Sequence, residues 1–348
     1  MIGVAVVGAG HWGPNLIRNF QGPPTSAVRW VVDRDAGRLA QVVSRFPEVR
    51  VDAEVDAALA DPEVDAVVVA TPTTTHFGLA ERALRAGKHV LVEKPITTSV
   101  EEGERLCELA TAGGLILMVG HVFVYNAGVE RVRAYLREGA LGRVYYVSMV
   151  RTNLGPIRLD VNAAWDLAAH DISIANYWLD AEPLSVSAQG GRWINDGLED
   201  AVFATFRYPG DVLVNLHSSW LNPRKARDIT VVGDRSMLTL DDMNLNEPLR
   251  IYDKGVTDER VTPGFVDTFA SFRASVREGA ITIPKVSLGE PLRAECEHFL
   301  DCVASGRPPL TGGREGVAVV RALTALERSL DNDGRAEPVV PVPLGSEV

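Results

Sequence analysis

Short, fully apolar runs alternate with amphipathic stretches over the first 120 residues. The runs IGVAVVG (2–8), VRWVV (28–32), DAVVVA (65–70), HVLVE (89–93) and LILMVG (115–120) are β-rich and each leads into turn residues, the pattern of strands buried on both faces. Helical patterns lie between them. DAGRLAQVVSRF starts at Asp35, a capping residue; HFGLAERALRAG stops at Gly87 in the C′ position; SVEEGERLCELATAGG opens with Ser99 and Glu102 at capping-box spacing. Continuous apolar strands separated by helices predict a parallel sheet covered on both sides.

Beyond residue 120 the pattern changes. A helix over 127–139 leads to a long strand over 143–151, an irregular loop, and a helix from Trp165 to Leu179. Strand signals then dominate. AVFATFRYPGDVLVNLHSSW (201–220) reads as a hairpin, with Pro209-Gly210 supplying the fixed and the positive φ of a type II turn. DITVVG, SMLTLD and PLRIYD continue at short spacing, and helical segments near 290–304 and 316–330 finish the chain. The pattern predicts an α/β N-terminal domain, residues 1–122, and a C-terminal α+β domain, residues 123–348, built on a large, mostly antiparallel open sheet.

Composition narrows the function classes. A length of 348 residues fits two domains, and 46% hydrophobic residues suffice for packed cores. The net charge of −11 lacks the basic face that nucleic-acid binding needs, and no apolar run approaches the roughly 18 residues of a membrane span. Neither nucleic acid nor a membrane is therefore an expected partner. The apolar start has no basic residue before Arg18 and is broken by Gly3, Gly8 and Gly10, unlike a secretion signal. Cys107, Cys296 and Cys302 are too few and scattered for a disulfide framework or a zinc cluster. The expectation is a cytoplasmic protein without a metal.

Gly8, Gly10 and Gly13 form Gly-x-Gly-x-x-Gly between the first strand and the first helix. Gly8 allows the tight turn, Gly10 lets a pyrophosphate approach the backbone, and Gly13 lets helix and strand pack closely. Free amides at the helix start then face the phosphate charge. Asp33, twenty residues past Gly13 at the end of the second strand, is placed to accept hydrogen bonds from the adenosine ribose and to repel a 2′-phosphate. This favours NAD over NADP. Arg34 leaves NADP open, since a guanidinium there stacks on adenine, receives a phosphate or stays solvated.

Two further groups carry chemistry. Pro95 holds Lys94 in extended geometry at the carboxyl edge of the sheet, where ligands of such folds bind. In WDLAAHDISIANYW (165–178), Asp166 and His170 stand at i, i+4 and share one face of a helix. An Asp one turn away orients the imidazole and stabilises its protonated form, as a general base requires.

GAGHWG, ATPTTTH, EKP and DLAAHD, in this order and spacing, together with the closing EHFLDCVASGRPPLTGGREGVAVVRALTAL, resemble the glucose-fructose oxidoreductase / inositol dehydrogenase / rhizopine catabolism (Gfo/Idh/MocA) family over nearly the whole chain. The resemblance implies an NAD(P)-binding Rossmann domain whose cofactor contacts include His11, Trp12, Thr71, Pro72, His76, Glu93 and Lys94. It implies that Lys94 approaches the reacting oxygen, that Asp166 and His170 supply acid-base chemistry, and that the Lys94-Pro95 bond is often cis. Self-association through the open sheet face, as a homodimer or homotetramer, is also implied. NLGPIRLDVNAAWDLAAHD (153–171) is most similar to members acting at carbon 3 of nucleotide-activated hexoses or hexuronates. Arg151 and Arg158 then suit a diphosphate or carboxylate, and Tyr125, Asn126 and Trp165 are candidates for the sugar pocket. The expected activity is an NAD(P)-dependent sugar dehydrogenase or ketoreductase acting on a CH–OH group, with Lys94 and His170 exchangeable in role. The family's alternatives are an NAD-dependent glycosidase using transient carbon 3 oxidation, a polyol or inositol dehydrogenase, and a dinucleotide-sensing regulator without turnover.

Overall fold

Valine-rich segments build the first sheet of the computed structural model, which describes residues 1–159, 161–194, 197–256, 276–287 and 289–339. The described residues form two compact units, Met1–Tyr125 with Gly289–Arg321 and Asn126–Leu288 with Ala322–Val348.

In the first unit β1 (Ile2–Val7), α1 (Gly13–Gln21), β2 (Ser26–Val32), α2 (Ala36–Arg45), β3 (Arg50–Asp52), α3 (Asp56–Ala60), β4 (Ala66–Val69), α4 (His76–Arg85), β5 (His89–Glu93), α5 (Val100–Gly113) and β6 (Leu117–Gly120) follow in turn. The strands are all parallel, in the order β3-β2-β1-β4-β5-β6. The order reverses between β1 and β4, which opens a crevice at the strands' carboxyl ends. The caps are those the sequence predicts. Asp35 accepts from the N–H groups of Gly37 and Arg38, Ser99 from Glu102, and Gly87 takes φ 74° after α4. The Ser99 hydroxyl in turn donates to Glu101. The strand β3 has no sequence signal, being three residues with two polar side chains.

The chain returns to this unit late. The helix α8 (Pro291–Ser305) packs Phe299 edge-on against Phe20 of α1 at 6.1 Å, and Thr311 exchanges hydrogen bonds with the Val119 backbone. The division at residue 122 therefore needs correction: residues 289–321 complete the first unit's core, a long-range packing that local periodicity does not carry.

In the second unit α6 (Ala127–Arg137), β7 (Val144–Leu154), a π-helical turn (Ala164–Ala168), α7 (Ala169–Leu179), β8 (Ser185–Gly191), β9 (Ala201–Tyr208), β10 (Val212–Ser219), β11 (Leu221–Gly233), β12 (Met237–Asp241), β13 (Leu249–Tyr252), β14 (Gly255–Val256), β15 (Val276–Arg277), β16 (Ile281–Thr282), the end of α9 (Gly313–Asp331) and β17 (Glu337–Pro338) appear. The sheet runs β16-β13-β12-β11-β7-β10-β9-β8-β17, antiparallel except where β10 pairs with β7. The short β14 and β15 pair separately. The hairpin loop β9–β10 has three residues: Gly210 takes the type II position at φ 75°, ψ 15°, and Asp211 adds a second left-handed residue at φ 64°. Alternate side chains of β9 and β10 are buried, and the opposite set, including Phe203 and Leu213, is exposed.

Candidate active site

The glycine turn has the geometry that the sequence requires. Gly8 adopts φ +103°, and a Cβ there would lie 2.4 Å from the Ala70 carbonyl oxygen. A Cβ on Gly13 would lie 2.2 Å from the Gly8 oxygen, so helix and strand touch backbone to backbone. At Gly10 the nearest atom would be Arg38 Nη1, at 3.6 Å, leaving the backbone open to a ligand. Asp33 Oδ2 accepts from the Ala9 N–H at 2.7 Å and Oδ1 from the Asp35 N–H at 2.8 Å, which fixes the carboxylate beside the turn.

A cavity of about 500 Å³ lies over this turn, lined by Gly8, Gly10, His11, Trp12, Asp33, Arg34, Thr71 and Pro72 among others. These residues fit a dinucleotide: amides for the phosphates, an aspartate for the ribose, and apolar walls from Val32, Val55 and Leu79 for the base. The sequence reading missed Arg38, which stands in the first turn of α2, lines the same cavity and has Nη1 3.5 Å from Asp33 Oδ2. Its only sequence signal is its place five residues past Asp33. Calorimetric titration is expected to show tighter binding of NAD than of NADP, and the Asp33→Ala variant to lose that preference. Equal affinities in the wild type would transfer control of the site to Arg34 and Arg38.

His76 is not a cavity residue. It is 1% exposed, with Nδ1 2.8 Å from the Pro95 oxygen and Nε2 2.9 Å from the Thr71 oxygen. It ties the loop after β4 to the loop after β5, and so supports Thr71 and the segment of Lys94 and the cis Lys94-Pro95 bond. Glu93 also lies outside the cavity lining. Its Oε2 accepts from the Lys94 N–H at 3.3 Å, and a Cβ on Gly120 would approach that oxygen to 3.1 Å. Burial pushes the Glu93 carboxyl up to about 7 against the pull of the Lys94 ammonium. Two further buried groups escaped sequence reading. Burial, then Lys94, pushes the His121 imidazole down to about 3, and burial beside Glu93 holds the Glu295 carboxyl well above its usual range. Lys94 thus stands among groups that favour their neutral forms.

In the second unit the predicted helix starts as a π turn, and Asp166 lies within it. π turns are frequent at functional sites. Asp166 Oδ1 accepts from Arg158 Nη1 at 3.3 Å and Oδ2 from Trp220 Nε1 at 3.2 Å. His170 follows in the first turn of α7 and is half-buried.

Several candidate pocket residues are held by internal partners. Arg151 is buried, and its Nε and Nη2 donate to Asp171 Oδ1 at 2.9 and 2.7 Å. Tyr125 is buried, its hydroxyl 3.0 Å from Thr311 Oγ1, and burial raises its pKa. Asn126 caps α6 through the N–H groups of Gly128 and Val129 and donates to Asp242 at 2.8 Å. Trp165 is 6% exposed, buried beside Glu327. All four side chains are buried. Among the described residues no cluster of three or more His, Cys, Asp or Glu could hold a metal, and no helix is long and apolar enough to cross a membrane.

A doubly wound sheet with a glycine cradle at its switch point and a fixed aspartate on the next strand defines an NAD-binding oxidoreductase module. Comparison with known proteins agrees. Residues 2–121 match the oxidoreductase family, NAD-binding Rossmann fold model, and residues 129–239 the GFO/IDH/MocA C-terminal domain model. The chain is 32% identical over 91% of its length to UDP-N-acetylglucosamine 3-dehydrogenase from Acidithiobacillus ferrooxidans, covering 93% of that protein. A solved structure of that dehydrogenase superposes with a TM-score of 0.80 at 29% identity over 95% of this chain and 99% of the other. GenD2 from gentamicin A biosynthesis, solved in complex with NAD, gives a TM-score of 0.80 at 28% identity, covering 98% and 97%. The scyllo-inositol 2-dehydrogenase (NAD(+)) of Bacillus subtilis is 26% identical over 88% of this chain and 87% of its own. The chain belongs to the GFO/IDH/MocA family of NAD-dependent oxidoreductases.

Proposed function

We propose that this enzyme transfers a hydride between NAD and carbon 3 of a nucleotide-activated hexose or hexuronate. The likeness to UDP-N-acetylglucosamine 3-dehydrogenase, which spans both units, carries this reading. NAD, when bound, supplies the hydride acceptor at its nicotinamide ring. His170 takes the proton of the ring hydroxyl, Asp166 stabilises the imidazolium that forms, and Lys94 stabilises the developing alkoxide by a charged hydrogen bond. In reverse the same groups reduce a 3-keto sugar. Arg158, 34% exposed, offers a guanidinium to the diphosphate or carboxylate.

NADH production screened over UDP-N-acetylglucosamine, a nucleotide-linked hexuronate, free hexoses and inositols tests the proposal. Turnover is expected with the nucleotide-linked sugars. Arg158 also holds Asp166, so its role is read from a ratio: Arg158→Ala is expected to lower kcat/KM for the nucleotide sugar about tenfold relative to an uncharged sugar. Robust turnover of inositols, indifferent to Arg158, would favour the polyol reading that the Bacillus subtilis relative supports.

Self-association through the open sheet face, as a homodimer or homotetramer, belongs to the same proposal. Phe203 is 51% exposed there and stacks on His217 at 4.4 Å, while Leu213 pairs with Tyr146 across β10 and β7. Such an apolar face favours burial against a second copy. Light scattering is expected to give a multiple of the chain mass, and Phe203→Asp to lower it. A wild-type mass of one chain would rule this interface out.

A further inference from the structure

We infer that Trp220 is a positioning residue for the acid-base pair, its indole N–H fixing the carboxylate of Asp166. The inference rests on the proposed roles of Asp166 and His170. Trp220 joins β10 to β11, is 1% exposed, and is anchored by its own backbone N–H, which donates to the Asp200 oxygen at 3.0 Å. The Nε1–H donates to Asp166 Oδ2 at 3.2 Å.

Three features distinguish this bond from incidental packing. Indole nitrogen only donates, so rotation of the carboxylate away from it would strand a buried N–H and incur its desolvation cost. Asp166 also sits in a π turn, whose wider winding departs from the α-helical register in which His170 follows. Arg158 and Trp220 differ in access as well. Arg158 reaches Oδ1 from a side chain that is 34% exposed, whereas Trp220 is wholly enclosed. When Arg158 turns to an anionic substrate, Trp220 keeps Asp166 in place. A neutral N–H donor also favours the ionised carboxylate, the form that stabilises the His170 imidazolium.

Trp220→Phe keeps an aromatic ring in the core and removes the donor. With the preferred sugar, kcat is expected to fall about tenfold to a hundredfold, the scale of one hydrogen bond to a charged group. KM for the sugar and NAD affinity are expected to stay within about twofold, the pattern of a contact used after substrate binding. Unchanged kcat, or a fall in melting temperature alone, would reduce Trp220 to a packing residue and overturn the inference.

A second readout needs no substrate. The indole N–H resonance of Trp220, identified among the six tryptophans as the one lost in Trp220→Phe, is expected to shift in Asp166→Asn. An unmoved resonance overturns the contact, even if Trp220→Phe does not fold and the signal is instead assigned by elimination through the other five tryptophans. If no sugar is turned over while the resonance shifts, the functional proposal fails and the Trp220–Asp166 bond stands as structure only.

Discussion

Lys94→Ala and His170→Ala are each expected to lower kcat by about 10²–10⁴, the range for a positioned acid-base group. Steady-state kinetics on the preferred sugar measures it. Neither residue belongs to the glycine cradle: Lys94 follows β5 and His170 lies in α7. NAD affinity by calorimetry and melting temperature are therefore expected to stay close to wild type. If both groups act on one substrate oxygen, the double variant loses far less than the product of the single losses, because groups working as a unit are non-additive. Near-normal turnover in either folded, NAD-binding variant would remove that residue from the mechanism and revive the reading of a dinucleotide-sensing regulator.

Asp171→Ala is expected to destabilise the protein by about 3–5 kcal/mol, because it takes a doubly hydrogen-bonded carboxylate away from the buried Arg151 guanidinium. The side chains of the pair are only 7% and 3% exposed, so solvent screens the interaction little. Thermal or denaturant unfolding measures the loss. Replacing both members, Arg151→Met with Asp171→Leu, is expected to cost much less, since an apolar pair of similar volume carries no stranded charge. The same experiment separates the two arginines that sequence reading treated alike. Arg151 variants are expected to alter stability and leave substrate preference unchanged, whereas Arg158→Ala alters preference. A stable Asp171→Ala protein, with KM raised by Arg151→Ala, would return Arg151 to the binding site.

Local chemistry explains where sequence reading succeeded. Gly8, Gly10 and Gly13 announce their turn because only glycine tolerates φ +103° at Gly8 and the 2.2 Å approach of a Cβ to backbone at Gly13. Asp35, Ser99 and Gly87 mark helix ends because the groups they satisfy lie within three or four residues. Strand runs such as AVVV need no partner in sequence to be recognised, since burial on both faces makes every position apolar. Where a side chain's fate depends on distant partners, the sequence was silent. Arg151 and Arg158 are both arginines near one loop, and only the fold brings Asp171 to the first and leaves the second partly exposed.

The sequence by itself therefore determined the dinucleotide cradle, the parallel sheet around it and the family, and offered Lys94, Asp166 and His170 as candidates for the chemistry. Tertiary structure decided the rest. It returned residues 289–321 to the first unit, made His76 a clasp between two carbonyls, buried Tyr125 and Trp165, turned Asn126 into a helix cap, and set Trp220 and Arg158 on the two oxygens of Asp166. The physical reason is range. Backbone preferences and caps act over a few residues and leave a local pattern, whereas the partner of a buried polar group is chosen by burial, which obliges it to find a donor or acceptor wherever the fold supplies one, here 54 residues away for Asp166 and Trp220.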